Sequence, residues 1–478
     1  MMKKQFTLAC TLVFVLGLAG CNRDQQPSTP TGEQRQPSTN DTTTLYTNGT
    51  ILTMDIHQPE AEAVAVRNGK IVAVGVRQDV EAASGDSFTT FDLRGNTLLP
   101  GFIDAHGHFT YTAQRMGQVN LQPPPAGPAT SITEILSILS QHLSQHSDEK
   151  WIIGYGYDDS LLAEQRHPTR DDLDSLPGDR PILLIHVSAH LAVCSSKCLE
   201  LAGITADTED PKGGVIRRQP GSREPNGVLE EYAFINLMQK LPKHSPEQQL
   251  IDLSEAQQYY AAHGITTIQD GGVTQEQLDV LKLASQQHKL LLDVVAYHFV
   301  PAGQPFPEVL ATSRDYQGHL RLGGAKIVLD GSPQGKTAWL TKPYFKPPHG
   351  QQEGYRGYPM QDDAAVSKVV EQAFARNIPL LAHVNGDAAA DQLIKAVTVA
   401  NSKLGNTDRR TVMIHAQTVR EDQIVQMKAQ NIMPSYFSAH TFYWGDWHRD
   451  SVLGPERAAR ISPLKSSVKV GLPYTTHN

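Results

Sequence analysis

Eight short apolar segments recur along the chain, at 98–104, 264–270, 291–299, 320–329, 378–384, 411–416, 432–437 and 468–474. Stretches of helical periodicity separate them, clearest at 274–287, 362–376, 387–400 and 421–430. Parallel strands cannot be joined by tight turns, so each pair needs a crossover, usually a helix. Eight strands linked in this way predict an α/β fold, a (β/α)8 barrel of the TIM type. Such barrels carry their chemistry at the C-terminal ends of the strands. Between the first two segments lies a long excursion, 110–263, with its own strand-like and helical pieces. It reads as an insertion capping that face.

The segments ahead of the barrel have separate roles. Lys3 and Lys4 precede an apolar run from Phe6 to Leu18, which is too short to span a bilayer. Leu18-Ala19-Gly20-Cys21 then reads as a bacterial lipobox that closes a signal peptide over 1–21, with Cys21 as the lipidated residue. The expectation is an exported lipoprotein, membrane-anchored and facing the periplasm or cell exterior, since stable anchoring needs more than one acyl chain. Residues 22–44 hold no aliphatic, aromatic or cysteine side chain and predict a disordered tether. Strands at 45–53, 62–67, 70–76 and 88–93, with Asn68-Gly69 as a hairpin turn, predict a small β-unit over 45–97. The barrel follows over 98–478.

Charge and cysteine usage narrow the function classes. With 42 Lys+Arg against 50 Asp+Glu and no basic block, nucleic acid is not a partner. Four cysteines are too few for a disulfide scaffold, and Cys194 and Cys198 read as small buried packing residues. The oligomeric state is not legible.

The strand ends carry the chemistry. Pro100-Gly101-Phe102-Ile103-Asp104-Ala105-His106-Gly107-His108 reads as a buried strand ending in two histidines at spacing i, i+2. Alternation points both rings to one side, where they can share a cation. In 320–330, Lys326, Val328 and Asp330 share the barrel-facing side. They form either a buried Lys–Asp pair or a site where the lysine becomes an anionic ligand. His383 and His415 stand at two further strand ends. Four histidines so placed point to a divalent metal site, and imidazole suits zinc best, with iron or manganese as alternatives.

These residues resemble the amidohydrolase superfamily, in particular the branch that includes N-substituted formamide deformylases. The likeness runs from about Leu45 to Asn478. It rests on the strand ending in His106 and His108, on Lys326-Ile-Val-Leu-Asp-Gly-Ser332, on His383-Val-Asn-Gly-Asp387 and on Val412-Met-Ile-His-Ala-Gln417. Trp151-Ile-Ile-Gly-Tyr-Gly-Tyr157 and the stretch from Ala189-His190 to Ile204 match as well. The resemblance implies that His106 and His108 bind one metal. It implies that Lys326 is a CO2-derived carbamate bridging two metals, completed by His383 and His415. It also implies a general-base aspartate just beyond Asn478, with further sandwich strands after it. On that expectation the 478-residue chain is a fragment.

The expected reaction is metal-assisted hydrolysis of a carbon–nitrogen bond in a small-molecule amide, of the N-formyl or N-acyl amine class. A metal-dependent lactonase or esterase is the nearest alternative, and an inactive ligand-binding lipoprotein is the alternative from another class. The aromatic stretch 436–446 reads as a rim loop. There His440 would polarise the scissile carbonyl, and Tyr436 and Trp444 would line the substrate. Asp158 and His190 of the insertion are further rim residues. His142 and His146, spaced i, i+4 on a predicted helix over 131–146, lack the acidic neighbour of an H-E-x-x-H motif and read as a solvated face.

Overall fold

The computed structural model describes residues 42–477 apart from positions 148, 242, 243, 302, 309, 311 and 349. The predicted signal, Cys21 and nearly all of the tether lie outside the described residues. The chain divides into two compact units at Pro100.

The first unit holds two sheets. One has four strands in the order Lys70–Gly75, Ala63–Arg67, Thr43–Thr47, Phe88–Asp92; the other has three, Gln58–Ala61, Thr50–Asp55, Thr97–Leu98. Asn68 and Gly69 join two of them with φ of 51° and 71°, the paired positive angles that a two-residue hairpin turn requires.

The second unit is an eight-stranded, all-parallel barrel. Its strands are Phe102–Gly107, Ile265–Val273, Asp293–Phe299, Leu320–Val328, Leu380–Val384, Thr411–His415, Ile432–Phe437 and Thr475–His477, here strands one to eight. The ladder runs unbroken from one to eight, and strand eight packs against strand one. Helices cross between several of the strands, and two of their starts are capped by side chains. Thr274 caps Gln275–Gln286 by accepting from Gln277 N, and Asp362 caps Asp363–Ala375 by accepting from Ala365 N. Ile327 of strand four, Leu329 just after it, and Leu380 and Ala382 of strand five pack outward on Val370, Leu393 and Val397 of the helices. Lys326 and His383 alternate with them and face inward.

Two expectations need correction. The segment 468–474 is not strand eight: Leu464–Val470 is a helix, closed by Gly471 at φ 67°. Leu464, Ser467 and Val470, spaced by three, turn inward, whereas the apparent strand alternation leaves Val468 exposed. Phe102 and Ile103 are exposed, because strand one becomes buried only toward its C-terminal end.

Between strands one and two rises a six-stranded sheet in the order Gly214–Arg218, Pro225–Glu231, Leu191–Cys194, Ile182–His186, Ile152–Tyr157, Val119–Asn120. Leu183, Ile185, Leu229 and Phe234 fill one of its cores, and Leu121, Ile135, Leu139 and Leu184 fill another. Cys194 and Cys198 are joined as a disulfide, which the reading as packing residues missed. Among the described residues no helix is long and apolar enough to cross a membrane.

Candidate metal centre

The ends of strands one, four, five and six gather His106, His108, Lys326, His383 and His415 into one cluster. The His106 ring lies 5.1 Å from His108 and 5.5 Å from His415, and His383 lies 4.6 Å from His415. Lys326 Nζ is 3.3 Å from His106 Nε2. His415 and Ala416 hold φ of 74° and 46°, where side chains are strained, so the surrounding structure imposes this turn.

Hydrogen bonds hold three of these rings in place. His106 Nδ1 is 3.3 Å from the amide oxygen of Gln269, and His383 Nε2 is 3.1 Å from the carbonyl oxygen of Gly331. Oxygens of this kind only accept, so His106 carries its proton on Nδ1 and keeps a bare lone pair on Nε2, whereas His383 Nε2 meets both this carbonyl and the Asn385 Nδ2 amide at 3.0 Å. His415 Nδ1 bonds His477 Nε2 at 2.9 Å, and His477 Nδ1 bonds Ser435 Oγ at 2.8 Å. This relay anchors the His415 ring through Nδ1. Burial, reinforced by the mutual repulsion of the neighbouring bases, pushes His106, His383 and His415 well below the usual imidazole range. They are neutral at neutral pH, the form that ligates metals.

Lys326 is 3 % exposed and has no carboxylate partner among the described residues. Burial lowers its amine to about 7. The Lys–Asp alternative is thereby overturned: Asp330 accepts the N–H groups of Trp339, Asn385 and Gly386 at 3.0, 2.9 and 2.7 Å. Asp387 likewise serves the backbone, accepting from Thr341 N at 2.8 Å and pairing with Arg420. Neutral imidazoles gathered around a buried amine of lowered pKa form a donor set that fits divalent cations.

The capping sheet adds a second layer. His190 packs at a tilt against His383, with ring centroids 4.9 Å apart, and its Nδ1 bonds Glu231 Oε2 at 2.7 Å. Burial pulls His190 down, but the Glu231 carboxylate outweighs it and the imidazole ends above its usual value. Glu231 is fully buried at φ 48°, and its Oε1 has no partner. A Cβ on Gly331 would come within 2.3 Å of that oxygen, so glycine is needed there.

A profile of the amidohydrolase family matches residues 89–478. The chain belongs to the amidohydrolase family. It is 26% identical over 446 residues to N-substituted formamide deformylase of Arthrobacter pascens, covering 90% of this chain and 79% of that protein. It is 28% identical over 421 residues to the putative amidohydrolase YtcJ of Bacillus subtilis, covering 84% and 74%. In fold it is similar to an uncharacterized metal-dependent hydrolase of Pyrococcus horikoshii, with TM-score 0.68 and 23% identity, covering 91% of this chain and 82% of that one. As an amidohydrolase the protein is a hydrolase of carbon–nitrogen bonds.

Elsewhere in this amidohydrolase several predicted residues take other places. Tyr436 does not line the substrate; it is fully buried in the outer core and bonds Ser467 Oγ at 2.8 Å. Strand seven turns its neighbour Phe437 inward instead, onto His415, His440 and His477. His440 is 1 % exposed, with Nε2 taken by Gln417 and Nδ1 by His448, so neither nitrogen is free to polarise a carbonyl. The predicted rim loop is a helix, His440–Trp447, and Trp444 Nε1 donates to Asp158 Oδ2 at 2.5 Å, tying this helix to the cap. Asp158 and Trp444 are thus braces. Among the described residues two groups bring three metal-type donors within 4.8 Å of one another, and both lie in the cap: His142/His146/Glu149 and Asp158/Asp159/His186. In the latter, Ser188 N donates to His186 Nδ1, which leaves Nε2 as a donor to Asp159, a hydrogen-bonded pair. His477 and Glu231 escaped the sequence reading. The first was missed because strand eight was placed seven residues early; Glu230-Glu231 closing the apolar Val228-Leu229 was the available signal for the second. The expected aspartate concerns positions beyond the described residues.

Proposed function

We propose that this amidohydrolase cleaves small amides of the N-formyl or N-acyl amine class, using one or two divalent metal ions held by His106, His108, Lys326, His383 and His415. One observation carries the reading: one ring nitrogen of each of His106, His383 and His415 is held by a protein group, and these rings gather with a buried lysine that has no carboxylate partner and whose Nζ lies 3.3 Å from His106 Nε2. Zinc suits this nitrogen-rich set best, with iron or manganese as alternatives. With its amine brought down to about 7, Lys326 is in large part neutral at neutral pH, and the neutral amine is the form of lysine that takes up CO2, so a carbamate there is part of the proposal. A bound ion supplies Lewis acidity, polarising the scissile carbonyl and acidifying water.

The chain's own groups do the rest. Gln269, Gly331 O and His477 hold the ligating rings in position. Glu231 holds His190 through Nδ1, leaving Nε2 to carry a proton to or from the leaving amine. Phe437 and the cap exclude bulk water. The name of the Arthrobacter pascens relative supports an N-formyl substrate over a lactone. We further propose that Cys21 anchors the protein to a membrane as a lipoprotein. The test is metal analysis of the protein and of His106→Asn and His383→Asn, with a panel of N-formyl and N-acyl amines against lactones. Lowered metal content in each variant and turnover of amides are expected. Metal content equal to the parent would sink the site assignment, and lactone turnover alone would sink the substrate class.

A further inference from the structure

We propose that the cap carries a second, separate transition-metal site formed by His142, His146 and Glu149. Helix Ile132–Gln145 presents His142 in its last turn, and His146 follows as its C-cap. Their rings stack with centroids 4.0 Å apart. The chain then returns and sets Glu149 Oε2 2.9 Å from His142 Nε2, supplying the acidic partner that the sequence spacing did not reveal. Donor atoms of all three residues lie within 4.8 Å of one another.

The protonation pattern favours a cation over a simple ion pair. His146 Nδ1 bonds the carbonyl oxygen of His142 at 3.1 Å, so that nitrogen carries the proton and Nε2 keeps a bare lone pair. A ligating histidine is ordinarily held this way, by a backbone acceptor on its far nitrogen. Arg180 bonds the carbonyls of Leu143 and His146 at 2.9 and 2.6 Å, which pins the turn carrying both rings. The donors are therefore held close together, and the stacked rings need only splay for both lone pairs to meet one ion. A cation would replace the proton between His142 Nε2 and Glu149 and take His146 Nε2 as its third ligand. Two imidazoles and one carboxylate select zinc, nickel or copper over calcium or magnesium. With all three side chains part-exposed, solvent completes the coordination.

The test uses the full chain, stripped with chelator and titrated with Zn2+ under metal analysis, beside His146→Ala and Glu149→Gln. The unaltered chain is expected to bind one more equivalent than His146→Ala, and Glu149→Gln to bind that equivalent at least ten-fold more weakly. Amide turnover should be unchanged in both, because neither residue belongs to the barrel cluster. His142→Ala and circular dichroism guard against misfolding. Equal stoichiometry and affinity in the unaltered chain and His146→Ala would overturn the proposal. Because the difference is read between cap variants, it stands or falls independently of the barrel metals.

Discussion

Lys326→Met should make the metal-free protein more stable while destroying its metal site. In the folded chain burial brings the amine from 10.5 to about 7. The unfolded chain holds the proton up to the ordinary value, so between these limits it binds more protons than the native state, and stability rises with pH. At about 1.36 kcal/mol per pH unit, the buried amine costs roughly 4 kcal/mol at pH 7 and roughly 1 kcal/mol at pH 9.5. Methionine fills a similar volume with no charge to desolvate. The expected gain is thus on the order of 4 kcal/mol at neutral pH, shrinking toward pH 9.5. Urea unfolding of chelator-treated protein, followed by tryptophan fluorescence, measures it. All four tryptophans, at 151, 339, 444 and 447, lie in the barrel unit, so the signal reports that unit. A variant no more stable than the parent at pH 7, or one whose advantage persists unchanged at pH 9.5, would refute the reasoning.

The remaining expectations test the surroundings of the cluster. His477→Leu should weaken metal binding about 10–100-fold, whereas His477→Gln, able to accept from His415 and donate to Ser435, should recover most of it; chelator competition decides, and identical losses would argue for a packing role alone. Glu231→Gln should lower kcat roughly 10²-fold with metal content unchanged; an unaltered kcat removes the His190–Glu231 pair from the reaction. Gly331→Ala drives a methyl to 2.1 Å from Thr337 Oγ1 and 2.3 Å from Glu231 Oε1, and should cost about 1–3 kcal/mol in denaturant unfolding. Cys21→Ser should move the protein from the membrane fraction to the soluble one, and retention through a high-salt wash would exclude the lipid anchor.

Much of the barrel and its inner histidines is legible in the sequence because the information is local. Apolar runs of strand length, helix-period stretches and the positions of His106, Lys326, His383 and His415 at strand ends need only the alternation of side chains along a strand. Asn68-Gly69 specifies its hairpin for the same reason, through the backbone angles those two residues tolerate. Where local signals compete, tertiary structure decides. Val468 and Val470 read as strand alternation, but Leu464, Ser467 and Val470 at a spacing of three become a helix once a core lies beside them. Tyr436 and Phe437 are equally apolar neighbours, and only the register of strand seven sends the tyrosine outward and the phenylalanine onto the histidines. The groups that hold these rings lie far away in the chain: Gln269 is 163 residues from His106, and His477 is 62 from His415. Glu231 reaches His190 across 41 residues by the same route. The ligating residues follow from periodicity along single strands, but their tautomers and proton partners depend on hydrogen bonds that exist only after the barrel closes and the cap settles on it.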